Sequence, residues 1–373
     1  MNKLEPQSTK CRIAYFVSPH GFGHAARAAA VMAAIRELVP STHFEIFTKV
    51  PTWFFESSLD GGFNYHSLLT DIGLVQKNSL TEDVPETLRR LDALMPFDPT
   101  QIKNLAELVN QLGCQMVMCD IAPMGLVVAK EARLSGILVE NFTWDWIYQG
   151  YLPYEQRLGP HIAYLQDVFA AADYHIQTEP LCVPREEVDL TTVPISRKTR
   201  TPAKQIRQKL RIPDQAKMVL VTMGGTHWHY TFLERLEREH NVYFVVSGSG
   251  EQIEFRGNLV LLPAYSEFFH PDLVNACDAI IGKIGYSIMA EAYHAGVPFG
   301  HIARPKFRES QALAGFIEEQ MNGLHITEAQ FQNGDWLSLL PNLLTLPRIQ
   351  RHSPNGADQV AGFVEGVLNG TFI

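Results

Sequence analysis

Two stretches of this chain share a pattern that restricts the fold: a short apolar run ends in glycines, and a helical pattern begins directly after them. The first runs from Arg12 through the loop Pro19-His20-Gly21-Phe22-Gly23-His24, and the second from Ala279 through Gly282-Lys283-Ile284-Gly285. Apolar runs of this length predict buried strands, and glycine permits the sharp turn from strand to helix. Because strands that alternate with helices form parallel sheets, we predict an α/β protein.

The second of these turns has the features of an anion site. Lys283 lies between two glycines, and the unpaired amides of a helix that starts near Tyr286 would point outward beside it. Glu291 follows about one turn later, where it could accept hydrogen bonds from ligand hydroxyls. This order predicts a nucleotide diphosphate with its ribose beyond. Many such junctions in parallel sheets bind nothing, so the turn alone leaves a purely structural role open.

The first turn also matches a dinucleotide-binding pattern, G-x-G-x-x-A, at Gly21, Gly23 and Ala26. In that fold an acidic residue at the carboxyl end of the second strand binds the ribose. The candidate, Glu45, is followed by further apolar strand residues and therefore lies inside its strand. Dinucleotide binding is the disfavoured interpretation.

Length and charge narrow the class of protein. The 373 residues suffice for two domains, and a net charge of −9 without blocks of like charge argues against nucleic acid as a partner. The stretch 197–211 holds seven Lys or Arg residues, which leaves peripheral contact with an anionic membrane open beside a solvated linker. Five cysteines without a C-x-x-C pair favour a reducing compartment, and with no signal-peptide pattern we expect a cytoplasmic protein.

The remaining pattern alternates between strands and helices in both halves. Further strands are expected at 44–47, 116–119, 136–140, 174–177, 218–223, 242–246, 259–262 and 298–302. Residues 52–99 read as irregular loops that face a cleft. The aromatic segment 141–148, with Trp144, Asp145 and Trp146, follows a strand; its rings could anchor the core or form an acceptor-binding wall.

The order of these motifs resembles a GT-B glycosyltransferase of the UDP-glycosyltransferase-like superfamily, in which two Rossmann-like domains face each other across a cleft. It is most similar to the glycosyltransferase-like amino-terminal part of L-arabinokinases and its stand-alone relatives. The resemblance implies an acceptor domain at 1–178, a linker at 179–215, a donor domain at 216–355 and a C-terminal helix at 356–373 that packs back on the first domain. A kinase P-loop, G-x-x-x-x-G-K-[ST], does not occur.

By position, the resemblance assigns roles to individual residues. His24 matches the general base of UDP-glycosyltransferases, and Asp120 matches the acid that orients it. The residues that match the donor-binding motifs or lie in the glycine turns are Gly21, Gly23, Gly225, Thr226, Lys283, Gly285, Tyr286, Ser287, Glu291, Glu309 and Gln311. The plant-type enzymes have histidine in place of Lys283, and their uracil-stacking tryptophan has no counterpart near Pro263.

The chemistry of sugar transfer fits these residue types. A base must take the acceptor's proton, and His24 at a helix amino terminus is expected to be neutral and able to accept it. Asp120 could hold the other ring nitrogen. His20 is the rival base, and capping the helix is the structural alternative for both His24 and Asp120. Without a D-x-D pair no metal is indicated, so Lys283 and helix amides would stabilise the leaving diphosphate.

We therefore expect a metal-independent, inverting glycosyltransferase that uses a nucleotide-diphosphate sugar, with a UDP-sugar favoured, and an acceptor that the sequence does not identify. Two alternatives stay open: a nucleotide-sugar 2-epimerase, which shares this architecture, and a non-catalytic nucleotide-sugar-binding protein. A Rossmann dehydrogenase is the least favoured. The sequence makes no prediction of the oligomeric state.

Overall fold

The computed structural model describes residues 11–224 and 228–371, which build two parallel sheets flanked by helices. The strands of the first half are β1 (Arg12–Val17), β2 (His43–Thr48), β3 (Phe63–Ser67), β4 (Gln76–Asn78), β5 (Thr81–Glu82), β6 (Met116–Asp120), β7 (Ser135–Glu140), β8 (Tyr174–Thr178) and β9 (Leu190–Thr192). Its helices are α1 (Phe22–Leu38), α2 (Thr52–Ser58), α3 (Val84–Leu94), α4 (Pro99–Gln111), α5 (Pro123–Ala132), α6 (Trp144–Gln149) and α7 (Gly159–Ala170).

The first sheet has the strand order β3-β2-β1-β6-β7-β8-β9, and every pairing in it is parallel. Its strands are nearly continuous runs of buried side chains, as expected where helices cover both faces. The order reverses between β1 and β6. Ligands of open α/β sheets bind at such a reversal, outside the carboxyl ends of the strands.

The second half repeats the arrangement after α8 (Ala203–Lys209). Its strands are β10 (Lys217–Thr222), β11 (Val242–Gly250), β12 (Glu254–Arg256), β13 (Leu259–Pro263), β14 (Ala279–Lys283), β15 (Phe299–Ile302) and β16 (Gly323–His325). They pair in the order β12-β13-β11-β10-β14-β15-β16, with β12 antiparallel at one edge. The helices are α9 (Leu233–Glu237), α10 (His270–Ala276), α11 (Tyr286–Ala295), α12 (Glu309–Gln320), α13 (Glu328–Asn333), α14 (Leu340–Thr345) and α15 (Gly356–Leu368).

The last helix returns to the first half. Val360 and Val364 of α15 are fully buried and share a core cluster with the alanine-rich face of α1. Two Rossmann-like sheets and this returning helix confirm the predicted fold class. Within the described ranges, no helix combines the length and the apolar character needed to cross a membrane.

The prediction of irregular structure for residues 52–99 was wrong. This region contains α2, the edge strand β3 and α3, and β4 pairs with β5 as a small antiparallel hairpin. Pro85 lies in the first turn of α3, where its missing N–H costs no hydrogen bond. The Asp83 carboxylate accepts from the Glu86 amide and caps this helix.

The chain limits 1–178, 179–215, 216–355 and 356–373 remain a prediction. β9, which pairs with β8 at the edge of the first sheet, lies inside the segment assigned as linker. Further along that segment, Arg200 donates from its backbone amide to Asp272 of α10, at 2.7 Å. The connection is therefore packed against both halves and is not a free tether.

Candidate active site

His24 lies in the first turn of α1, directly after the switch-point strand β1. The helix begins because Gly21 adopts φ 74°, a left-handed conformation that glycine takes at little cost, and no side chain caps its amides. The His24 ring is buried, with Nδ1 at 3.0 Å from the Asp120 carboxylate. Asp120 ends β6, the strand beside β1, so the parallel register brings the two predicted residues together.

Arg27 shares this carboxylate. It follows His24 by three residues on the same helix face, and its guanidinium donates to both Asp120 oxygens, each at 2.7 Å. Burial alone would raise the pKa of Asp120, but Arg27 and His24 lower it below its usual range. The carboxylate therefore stays ionised. The sequence analysis assigned no role to Arg27, although its i,i+3 spacing from His24 was a usable signal.

Two hydrogen-bonded contacts join this cluster to the second half. Arg27 donates to Asn141 at 2.6 Å, and the Asn141 amide donates to Glu309 of α12 at 2.9 Å. The Tyr286 hydroxyl lies 2.7 Å from the Thr178 hydroxyl, and the Arg27 guanidinium lies 4.8 Å from the centre of the Tyr286 ring. Predicted residues of the two halves thus meet across the carboxyl edges of both sheets.

The rival histidine, His20, lies 6.4 Å from His24 between ring centres. Its Nδ1 accepts a hydrogen bond from the Leu74 amide at 3.2 Å, which leaves Nε2 as its remaining nitrogen. Burial, and then the charges of Arg304, His24 and Lys283, lower the pKa of His20 well below its ordinary value. The neutral ring of His20 is therefore compatible with either a structural or a proton-accepting role.

Lys283 ends β14, and α11 starts three residues later with Gly285 as its N-cap and no side-chain cap. A Cβ on Gly224 would lie 3.5 Å from the Lys283 amine, so the amine sits over the glycine loop that follows β10. Burial and the neighbouring Arg304 lower the pKa of Lys283 to about 7, although the residue keeps part of its surface accessible. Uncapped amides beside a poorly neutralised amine form a region suited to an anion.

The other residues that were predicted to bind the sugar donor differ in burial and in their partners. Ser287 is half-buried in the first turn of α11, whereas Gln311 is exposed on α12. Glu291 is buried and already bound by two side chains, Arg197 at 3.0 Å and His270 at 2.6 Å. Gly225 and Thr226 lie outside the described residues. The structure thus gathers Lys283, Gly285, Tyr286 and Glu309 near the first-half cluster, while Glu291 lies in a separate network.

The aromatic segment contributes mainly to the core. Trp144 is fully buried, and its ring packs edge-on against His20 with 5.0 Å between centres. Trp146 is half-buried and lies 4.0 Å under the Arg308 guanidinium. Asp145 is buried with one carboxylate oxygen unpartnered among the described residues, and burial raises its pKa. Among the described residues, the indole N–H of Trp144 is likewise unpartnered, so each of the three keeps a feature that could serve an acceptor.

Arg304 is the other residue that the sequence analysis passed over. It follows β15, is 6% exposed, and two of its guanidinium nitrogens have no hydrogen-bond partner in the described structure. Its signal in the sequence was weak, because a single arginine before a proline is common in loops. The structure shows its relevance, because β15 pairs with β14 and Arg304 therefore follows the strand beside the one that ends at Lys283.

Residues 11–347 match the model of the glycosyl transferase family 1. L-arabinokinase of Arabidopsis thaliana is 26% identical over 368 residues, covering 94% of this chain and 34% of that protein. An uncharacterized glycosyltransferase of Methanopyrus kandleri is 23% identical over 294 residues, covering 70% of this chain and 78% of that protein. The chain therefore spans about a third of the length of the L-arabinokinase it matches.

Among solved structures, the spinosyn forosaminyltransferase SpnP superposes with a TM-score of 0.63 at 18% identity, covering 96% of this chain and 99% of that one. At this identity the likeness concerns the fold. Together with the family match over most of the chain, it agrees with the resemblance drawn from the sequence motifs. The chain belongs to the glycosyl transferase family 1 and has a GT-B fold.

Proposed function

We propose that this enzyme moves a sugar from a nucleotide-diphosphate donor to an acceptor hydroxyl, with inversion and without a bound metal, and that His24 is the general base. The observation that carries the proposal is the buried His24–Asp120 contact of 3.0 Å at the switch point of the first sheet. It lies opposite the uncapped start of α11 in the second half. A base and an anion site across one cleft are what glycosyl transfer requires.

The ring of His24 is oriented for this task. In the tautomer that carries its proton on Nδ1, this N–H donates to Asp120 and Nε2 is the nitrogen that accepts the proton of the acceptor hydroxyl. Asp120 then stabilises the imidazolium that forms. Because Arg27 also binds Asp120, part of the carboxylate's charge is already compensated. Asp120 therefore orients the His24 ring while it shares its negative charge with Arg27.

The donor half supplies charge for the leaving group. Lys283 and the first amides of α11 neutralise the diphosphate as the glycosidic bond breaks. Glu309 would bind hydroxyls of the donor sugar after the hydrogen bond from the Asn141 amide to its Oε1 breaks. A UDP-sugar is the favoured donor, in keeping with the resemblance to UDP-glycosyltransferases. Trp146 and Asp145 would line the acceptor side.

The first prediction concerns His24→Ala. The donor is identified first, as the nucleotide sugar among UDP, GDP and dTDP forms that most raises the melting temperature. Transfer is then measured as release of the nucleoside diphosphate with a panel of acceptors. Since a general base contributes about 10²–10⁴-fold, we expect a loss of that size while the nucleoside diphosphate still binds.

Control variants separate this from damage to the fold. His352→Ala, at an exposed position, should leave both rate and melting temperature unchanged. Undiminished transfer in His24→Ala would remove His24 as the base, and a comparable loss only in His20→Ala would assign the role to His20. Isomerisation of the donor without any acceptor would instead establish a 2-epimerase.

A further inference from the structure

Two cations lie side by side at one edge of the second sheet. Lys283 ends β14, and its register partner on the neighbouring strand β15 is Ile302. Arg304 follows two residues after Ile302, so both cationic side chains occur at the carboxyl ends of adjacent parallel strands. Their charges act on each other, because Arg304 is one of the groups that lower the pKa of Lys283.

Among the described residues, neither cation has a carboxylate within hydrogen-bonding distance. Arg304 stacks on Phe307, with the guanidinium carbon 3.6 Å from the ring centre, yet its Nε and Nη1 have no hydrogen-bond partner in the part of the chain that the structure describes. The Lys283 amine forms no hydrogen bond or ion pair within residues 11–224 and 228–371. Like charges brought together away from water are unfavourable unless an anion offsets them. This arrangement is therefore suited to an anionic ligand.

Two carboxylates act on Arg304, and one of them, Glu82, comes from the other half. Glu82 lies on β5 of the small hairpin, is nearly buried, and places Oε1 4.0 Å from Arg304 Nη1. That distance is too long for a hydrogen bond, and among the described residues this oxygen has no hydrogen-bond partner. Glu309 also attracts Arg304 but is committed to Asn141. Glu82 thus offers a negative charge near Arg304 without satisfying it.

We propose that Arg304 binds the donor's diphosphate together with Lys283, and that the Glu82 carboxylate occupies part of that anion site until the donor displaces it. This inference rests on the proposed function and assigns Arg304 and Glu82 to the donor site. A sugar esterified to a nucleoside diphosphate carries two negative charges, and its departure adds a third to the diphosphate. Lys283 and Arg304 together offset the two negative charges of the bound donor, and a guanidinium binds phosphate oxygens with suitable geometry.

A purely structural ion pair between Arg304 and Glu82 is the competing explanation. The two explanations predict opposite results for Glu82→Gln. If the pair only fastened the hairpin to the second half, its loss would lower stability and leave diphosphate affinity unchanged or weaker. If Glu82 competes with phosphate, its loss would strengthen diphosphate binding. Glutamine keeps the size of the side chain, so the change tests charge.

The experiment measures dissociation constants by titration calorimetry for UDP and UMP, and likewise for GDP with GMP and dTDP with dTMP. Comparing each diphosphate with its monophosphate isolates the added phosphate from the base. We expect Arg304→Gln to reduce the preference for the diphosphate by about tenfold or more, as for a lost hydrogen bond to a charged group. Glu82→Gln should increase it several-fold.

Matched controls are available in the exposed pair Arg256 and Glu254, which lie 2.6 Å apart. Arg256→Gln and Glu254→Gln change the net charge by the same amounts and should leave the preference unchanged. If Arg304→Gln does not fold, Arg304→Lys keeps the charge, and its loss of guanidinium geometry should still weaken the diphosphate preference. Melting temperatures of all variants identify misfolding.

The outcomes separate this inference from the proposed function. An unchanged preference in folded Arg304 variants would overturn the role of Arg304, and unchanged or weaker diphosphate binding in Glu82→Gln would overturn the role of Glu82. Neither result would affect His24-dependent transfer. Opposite shifts of the diphosphate preference in the Arg304 and Glu82 variants would support the inference, even if His24→Ala kept full activity and so excluded His24 as the base.

Discussion

Asp120 is held by two side chains of the same helix, and the balance between them sets how strongly it acts on His24. The resemblance implied that Asp120 would orient His24, and the structure brings the two together because Asp120 ends the strand beside β1. The sequence did not predict that Arg27 would take both carboxylate oxygens. Which rotamer a long side chain adopts in a crowded interior depends on all its neighbours, and a single sequence does not give those distances.

The same limit applies to Lys283, whose charge depends on residues distant in the chain. The groups that act on it, besides burial, are Arg304, Glu309 and Glu82. With a pKa near 7 in place of 10.5, the free amine is largely neutral above neutral pH. At alkaline pH, the Lys283 amine must therefore take up a proton when an anion binds beside it.

We predict that the affinity for the nucleoside diphosphate falls between about pH 7.5 and 9.5, approaching about tenfold per pH unit for one linked proton. Its terminal phosphate titrates at about pH 6, so the charge on the diphosphate is constant over this window. Calorimetry in buffers of different ionisation enthalpy should register the uptake of up to one proton.

Lys283→Met serves as the reference, because it should bind weakly with little dependence on pH. If the wild-type affinity were level across that window, the lowered pKa of Lys283 would have no part in donor binding.

At the scale of elements, the two glycines where β14 leads into α11, Gly282 in the strand and Gly285 before the helix, have different structural roles. A Cβ on Gly282 would lie 1.9 Å from the Thr222 carbonyl oxygen on β10, so this glycine lets the two strands approach. A Cβ on Gly285 would have no neighbour within 4 Å. The sequence marked both as parts of an anion-binding turn and could not separate them, because strand spacing is a tertiary property.

Alanine substitutions should separate the two. We predict that Gly282→Ala loses about 1–3 kcal/mol or more of unfolding free energy, since the backbone oxygen cannot move aside without shifting β10. Gly285→Ala should cost at most about 1 kcal/mol as a change of N-cap, while its methyl group fills the space beside the helix amides and weakens nucleoside diphosphate binding.

Urea unfolding and calorimetry on both variants test this assignment. A stable Gly282→Ala protein would contradict the close contact between β14 and β10. Unaltered diphosphate affinity in Gly285→Ala would place the ligand away from the start of α11.

At the scale of the whole molecule, the C-terminal helix ties the second half to the first. The sequence indicated α15 and the resemblance indicated its return, but its contact with α1 emerges from the structure. Helix α1 carries His24, so the packing of α15 supports the position of the proposed base from behind.

We predict that Val360→Ala lowers the unfolding free energy by about 2 kcal/mol, because this side chain is fully buried against α1. Gly362→Ala, two residues along and exposed, should raise it by up to about 1 kcal/mol, since alanine is the better helix former and meets no neighbour there. Urea unfolding measures both. Equal stability in the two variants would mean that α15 is not anchored on α1.

The Tyr286 hydroxyl bonds both to Thr178 at the end of β8 and, at 2.9 Å, to the Ile195 amide in the connecting segment. It is therefore fastened where the polypeptide passes from one lobe to the other. The start of α11, where we propose that the diphosphate binds, is thereby held against the first half at a fixed distance from α1.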